Sequence, residues 1–220
     1  MAEPRFFTRD YLEHAVLRNG AKVLIRLLRP EDKELLRAGF DRLSPASRYT
    51  RFLAPKTQLS TEELHYLCDV DQEDHVAIGA VSDDGGPPVG LGIARFIRLA
   101  DQPDTAEAAV AVIDEVHQQG LGRLLLLRLV AAAAERGIVR FRSEILGTNA
   151  AMMAMLDQLA PERSVETRTG VVSVEIALPN VPPDQPPTGE PLHSPLYRLF
   201  RAAAENAVEW TEALRKLWRR

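Results

Sequence analysis

The sequence predicts an α/β (α+β) domain, a mixed and mostly antiparallel central sheet flanked by helices, followed by a separate C-terminal helix. Three observations predict it. Extended and helical patterns alternate up to residue 178. A strand, a glycine loop, a helix and a second strand follow one another within a run of hairpin-type strands. Seven of the 15 prolines crowd into residues 179–195. A strand-helix-strand crossover inside a meander gives a mixed sheet with helices on its faces. A proline-rich stretch cannot continue a helix or a central strand, because proline lacks an amide donor and restricts the residue before it.

The elements follow in order. Residues 22–28 (KVLIRLL) read as a strand, and Arg29-Pro30-Glu31-Asp32 opens a helix through about Phe40. Ser44 to Phe52 and the run from Ser60-Thr61-Glu62-Glu63 read as two short helices, the second with the capping-box spacing of Ser60 to Glu63. His75–Val81 and Val89–Ile97 are strands joined by the turn signal Asp83-Asp84-Gly85-Gly86, and Glu107–Ile113 is a third strand of the meander. Leu121 to Arg136 carries good helix formers, ended by Gly137. Val139–Leu146 alternates as a strand, Asn149–Leu159 is a short helix, and Val165–Leu178 is a hairpin turning at Thr169-Gly170.

Three regions result: a domain over residues 1–178, an extended linker over 179–193 and a helix over 194–220. Ser194-Pro195 supplies a cap and a proline at the first helical position. Leu196, Phe200, Ala203, Ala207, Trp210, Leu214 and Leu217 then recur at steps of four and three, an amphipathic seam. Three placements are open to that helix: folding back on the domain, self-association with a second chain, or lying on an anionic surface.

Composition narrows the function classes. With 45% hydrophobic and 26% charged residues the 220-residue chain has the make-up of an ordinary soluble globular protein. A net charge of -4 gives no footprint for nucleic acid. Cys68 is the one cysteine, so no intrachain disulfide forms, and a reducing compartment is expected. No apolar run reaches the roughly 18 residues of a transmembrane segment. The start MAEPRFFTRDYLEH lacks the apolar core of a signal peptide. The expectation is a cytoplasmic protein. No His/Cys/Asp/Glu cluster has metal spacing, so no metal is expected.

The chemistry concentrates in AAVAVIDEVHQQGLGRLLLLR, residues 108–128. Gly120 and Gly122 frame a loop between an apolar strand and a helix whose first turns hold no acidic residue. Main-chain amides at a helix start lack internal partners and carry partial positive charge, which suits a phosphate. Two stronger nucleotide motifs are excluded: GxxxxGK[ST] is absent, and GxGxxG would need glycine in place of Leu125.

The stretch Val112-Ile113-Asp114-Glu115-Val116-His117-Gln118-Gln119-Gly120-Leu121-Gly122-Arg123 resembles the [QR]-x-x-G-x-[GA] acyl-CoA motif of the GNAT superfamily of N-acetyltransferases. Asn149 matches the asparagine common in that superfamily's next motif, and LIRLLRPED looks like its opening, so the resemblance spans about residues 20–178. Four segments are similar to the bacterial protein lysine acetyltransferase (Pat) branch: Ser47–Phe52, Asp69–Ala77, Gly92–Phe96 and Ala106–Val110. His117 stands where the motif has glutamine or arginine. The helix after Asn149 lacks the family's lysine-glycine-phenylalanine ending and the tyrosine that many members use as general acid.

The resemblance implies acetyl transfer from acetyl-CoA to an amine, probed at three places. Val112 is the expected main-chain donor to the thioester carbonyl, with Ile113 beside it. Pyrophosphate would lie on the amides of Gln118, Gln119, Gly120, Leu121, Gly122 and Arg123, with His117 and Asn149 as further cofactor contacts. Glu107 is the candidate general base: it lies on the strand entering the loop, among small Ala106, Ala108 and Ala109, and aligns with the glutamate of Pat-like enzymes. A protein lysine is the expected acceptor. A small-amine acetyltransferase and a non-catalytic acyl-CoA-sensing module are the rival readings.

Overall fold

The computed structural model describes residues 5–160, 163–168 and 170–178. The proposed linker over 179–193 and the helix over 194–220 lie outside the described residues. The strands are β1 (Leu12–Val16), β2 (Lys22–Leu27), β3 (His75–Ser82), β4 (Gly90–Leu99), β5 (Gln102–Val112), β6 (Arg140–Leu146), β7 (Arg163–Arg168) and β8 (Val171–Ala177). The helices are α1 (Lys33–Asp41), α2 (Pro45–Phe52), α3 (Thr61–Cys68), α4 (Leu121–Ala134) and α5 (Ala150–Leu159).

The strands form one sheet in the order β1-β2-β3-β4-β5-β6-β8-β7. Every neighbouring pair is antiparallel except β5 and β6, which α4 connects as a parallel crossover. The mixed, mostly antiparallel sheet read from the sequence is therefore the observed one.

Local chemistry explains the element ends. Ser44 caps α2 by accepting from the Ser47 amide, and Ser60 and Glu63 form the reciprocal capping box of α3. Gly137 takes a left-handed φ of +72°, which stops the chain from continuing helically beyond α4.

Two strands differ from the sequence expectation. β1 is unexpected because Leu12 and Val16 are exposed on an edge strand, so no buried alternation marks it. Its turn does carry a signal, Asn19-Gly20, with Gly20 at φ +86°. β5 begins five residues earlier than Glu107, since Pro103 sits near the strand start, where a missing amide donor is tolerated.

Successive residues on a strand face opposite sides. Gly92 faces α4, where an added Cβ would stand 3.0 Å from Leu125 Cδ1. Ile93 and Arg95 therefore face the other layer, made by α1, α2 and α3. On the α4 side Phe96 and Phe141 pack with ring centroids 6.0 Å apart, and Leu125 and Leu129 are fully buried. Each such side chain contributes roughly 1.5–3 kcal/mol of burial. This core clamps β3, β4 and β5 and leaves the far end of β5 free to part from β6.

Candidate active site

The parallel pairing of β5 with β6 covers three rungs: Thr105 with Arg140, Ala106 with Phe141, and Glu107 with Arg142. β6 continues to Leu146, held along its length by β8, while β5 continues to Val112 with β4. Beyond the rung of Glu107 the two strands separate. Ser143 Oγ bridges the first step of the opening by donating to the Ala108 carbonyl at 2.7 Å.

The polarity of the opened edge follows from one bond. Ile113 donates its amide to the Leu91 carbonyl at 3.0 Å, toward β4. Peptide groups alternate sides along a strand, so those of Val112 and Val110 point into the opening. His117 Nε2 donates to the Val112 carbonyl at 2.9 Å, which ties the imidazole to the same edge. The sequence expectation treated His117 as a phosphate contact; its contact in the structure is to the main chain of Val112.

Past Ile113 a single 3-10 turn, Asp114–Val116, leads into the glycine loop. Gln118 at φ +60° and Gly120 at φ +90° turn the backbone into the start of α4, with the Gln119 amide donating to the Val116 carbonyl at 3.4 Å. The first turn of α4 has no acidic residue to oppose an anion. Two arginines flank the loop. Arg18 donates to the carbonyls of Gln119 and Gln118, at 3.2 and 3.4 Å, from main chain and side chain respectively. Arg123 donates to Gln158 Oε1 at 3.1 Å; burial, and then the charge of Arg18, hold its guanidinium below the usual arginine range. Arg18 escaped sequence reasoning because it belongs to the β1–β2 turn, 100 residues away.

Other expected residues have different neighbours. Asn149 caps α5, its side chain accepting from the Met152 amide at 3.1 Å. Asp114 accepts from the Ser44 amide and from the Ser44 and Ser47 hydroxyls, each at 2.9 Å, and so fastens the start of α2 to the end of β5. Glu115 pairs with Arg42 at 3.1 Å. Among the described residues no group of three or more His, Cys, Asp or Glu could hold a metal ion. No helix among them is long and apolar enough to cross a membrane.

Glu107 stands exposed on the last paired rung, opposite Ile97 on β4. On its own face, the neighbouring strand carries Arg95 opposite Ala109. Arg51 of α2 approaches from above: burial lowers the affinity of its guanidinium for a proton, and the carboxylate of Glu107 opposes that shift. Sequence reasoning missed Arg51 and Ser143 because only the fold brings α2 and β6 to this rung.

A family model described as the acetyltransferase (GNAT) family matches residues 40–160, which hold the parted strands, the glycine loop and α4. The chain belongs to the GNAT family. An acetyltransferase of Pseudomonas aeruginosa is 34% identical over 136 residues, 62% of this chain and 73% of that protein. Acetyltransferase Pat of Mycolicibacterium smegmatis is 28% identical over 191 residues, 86% of this chain, and the chain spans only 56% of that relative. The solved GNAT domain of S. lividans PAT has a TM-score of 0.68 at 30% identity, covering 76% of this chain and 97% of that one.

GNAT acetyltransferases draw their acetyl group from acetyl-CoA. The residues present fit that molecule. Beyond the rung of Glu107 β5 has no pairing with β6 among the described residues, and the left-handed Gln118 and Gly120 lead the backbone into a helix start. Gly122 lies close under β5: a Cβ there would stand 3.6 Å from Val112 Cγ2.

Proposed function

We propose that this GNAT enzyme transfers an acetyl group to a protein lysine side chain by direct attack, with Glu107 as general base. The observation that carries the reading is the position of Glu107, on the rung where β5 and β6 stop pairing and the amides of Val110 and Val112 begin to face the opening.

When bound, acetyl-CoA supplies an activated thioester. The Val112 amide, fixed in place by the strand and by His117 on its own carbonyl, is positioned to donate to the thioester oxygen and stabilise charge there. Amides of the Gln118–Arg123 loop other than that of Gln119, which bonds the Val116 carbonyl, would hold the phosphates, and Arg18 and Arg123 would add positive charge beside them. A lysine ammonium has a reference pKa near 10.4, so attack at neutral pH requires its proton to be removed. Glu107, exposed and within reach of the opening, accepts that proton. The lysine acceptor is supported by the Pat-like segments and by the similarity to the mycobacterial and S. lividans Pat proteins.

The test is CoA release from acetyl-CoA with the full chain, offered separate pools of proteins and of small amines. Release with the protein pool, with the label on lysine, is the expected result. Release with small amines alone overturns the lysine acceptor. Binding of acetyl-CoA with no release from either pool overturns catalysis.

A further inference from the structure

A cavity of about 90 Å³ lies between α1–α3 and the sheet, reaching the end of β5 at Ala111, Val112 and Ile113. Its walls are mainly apolar, with Leu36, Phe40, Phe52 and Leu67 among them, yet Arg51 and Arg95 also line it. Arg95 is 4% exposed. Its Nη1 donates to the Leu67 carbonyl at 3.2 Å and to His75 Nε2 at 3.1 Å, two neutral acceptors, and its Nε is buried with no hydrogen-bond partner. Arg51 lies near enough for the two guanidiniums to repel each other, and its carbon sits 5.2 Å from the Phe52 ring centre.

Arg136 is buried on three main-chain carbonyls, but two other arginines hold carboxylates. Arg26, on the same cavity, holds both oxygens of Asp32 at 2.6 Å, and Arg128 holds both oxygens of Glu13. Among the described residues neither Arg51 nor Arg95 has a carboxylate within ion-pair distance. Burying a cation without its counter-ion costs several kcal/mol, which an arriving anion recovers. A guanidinium presents a planar fork that matches a carboxylate bidentately.

We propose that Arg51 and Arg95 form a carboxylate-binding subsite, so that one of the two molecules reacting at Glu107 carries a carboxylate into this cavity. Arg95 stands opposite Ala109 with its guanidinium turned toward Leu67 and His75, while the cavity it lines with Arg51 reaches Ala111, Val112 and Ile113, the stretch proposed to meet the thioester. Two sources are chemically open: the carboxylate of an amino-acid acceptor, taken in addition to a protein lysine, or the terminal carboxylate of a dicarboxylic acyl group on CoA, taken in addition to acetyl. The role in catalysis rests on the reading of Glu107 as base; carboxylate binding itself does not.

Binding is measured first, by titrating the full chain with 13C-labelled succinate and, separately, with succinamide. Saturable binding of succinate and none of the diamide is expected. Rates then identify the source. In one arm, amino acids compete with their amides for acetyl-CoA; in the other, succinyl-CoA competes with acetyl-CoA for a carboxylate-free amine. The subsite predicts at least a tenfold preference for the carboxylate in one arm, and Arg95→Met and Arg51→Met each bring that ratio to within about twofold of one. Equal binding of succinate and succinamide overturns the subsite in the wild-type protein, with no variant needed. So does a ratio that persists in both variants while all rates fall together, since the arginines then only position Glu107. Succinate binding that needs both arginines, with no CoA released from any pool, upholds the subsite and removes the catalytic reading instead.

Discussion

Arg128 of α4 and Glu13 of β1 form a two-pronged ion pair, with guanidinium Nε and Nη2 at 2.6 and 2.5 Å from the carboxylate oxygens. The Tyr11 hydroxyl donates to the same carboxylate, and burial, followed by the charge of Glu13, pushes the phenol above its ordinary range. The Arg128 side chain is 2% exposed, so the pair joins the edge strand to the central helix from inside the protein. Replacing Glu13 by Gln leaves a buried cation facing a neutral amide. Glu13→Gln is expected to cost about 3–5 kcal/mol, read as a lower urea midpoint at unchanged slope.

His75 accepts a hydrogen bond from Arg95 at its Nε2, so its ring is neutral with the proton on Nδ1. Burial, and then the charge of Arg95, lower its pKa to about 4, against the opposing pull of Asp71. The unfolded chain binds a proton near pH 6.5 that the folded chain refuses. His75 therefore contributes stability above pH 6.5 that is lost as pH falls from 6.5 toward 4. With allowance for the ring's partial exposure this amounts to roughly 1–2 kcal/mol. The slope of urea midpoint against pH over that window should flatten in His75→Gln.

Different physical ranges separate what the sequence discloses from what it hides. Ser60 with Glu63, Gly137 after α4, and Gly120 before it act on backbone within a few residues, so a short window contains both cause and effect. The glycine loop belongs to this class, which is why the phosphate end of the site is readable. β1 is hidden because an edge strand needs no buried alternation. Arg18, Arg51 and Ser143 reach the site through tertiary packing, and nothing near them in sequence names their partners. Glu107 falls between: its small neighbours are visible, while the parting of β5 from β6 at its rung is a property of the sheet.

Asp114 bonds the Ser44 amide and two hydroxyls of the α2 start. Burial raises its pKa, but those three hydrogen bonds outweigh burial and hold the carboxyl below the usual aspartate value. The contribution is present above the unfolded value of 3.8 and is lost as pH falls through the lower folded one. Asp114→Ala removes the acceptor from all three donors. It should cost about 1.5–3 kcal/mol in denaturant unfolding, and the loosened α2 should carry Arg51 away from Glu107, lowering kcat/KM.

Glu107→Gln keeps the size of the side chain and its place on β5 but cannot accept the amine proton. Turnover is expected to fall roughly 100-fold or more, with acetyl-CoA affinity close to wild type, because the proposed cofactor contacts lie on other residues. The remaining rate should rise with pH toward the lysine pKa, as free amine becomes available without a base. Turnover within a few-fold of wild type would exclude Glu107 as the base.

Gly92 lies opposite Val112 and beneath α4, and it joins stability to cofactor binding. A Cβ at this position would stand 3.0 Å from Leu125 Cδ1, 3.1 Å from the Ala111 carbonyl oxygen and 3.2 Å from Val112 Cγ2. Leu125 can swing its terminal methyl, but the Ala111 carbonyl belongs to the strand itself, so β5 must yield by a few tenths of an ångström. Overpacking of this kind costs about 1–3 kcal/mol. The displaced residues are those whose amide is proposed to meet the thioester. Gly92→Ala should therefore raise KM for acetyl-CoA and lower kcat together. Gly137→Ala provides the comparison: nothing lies within 4 Å of its added Cβ, its φ of +72° makes it strained, and it sits at the end of α4 opposite the glycine loop. That variant should lose stability alone, while a fall in kcat in both would show that Gly92 acts only through stability.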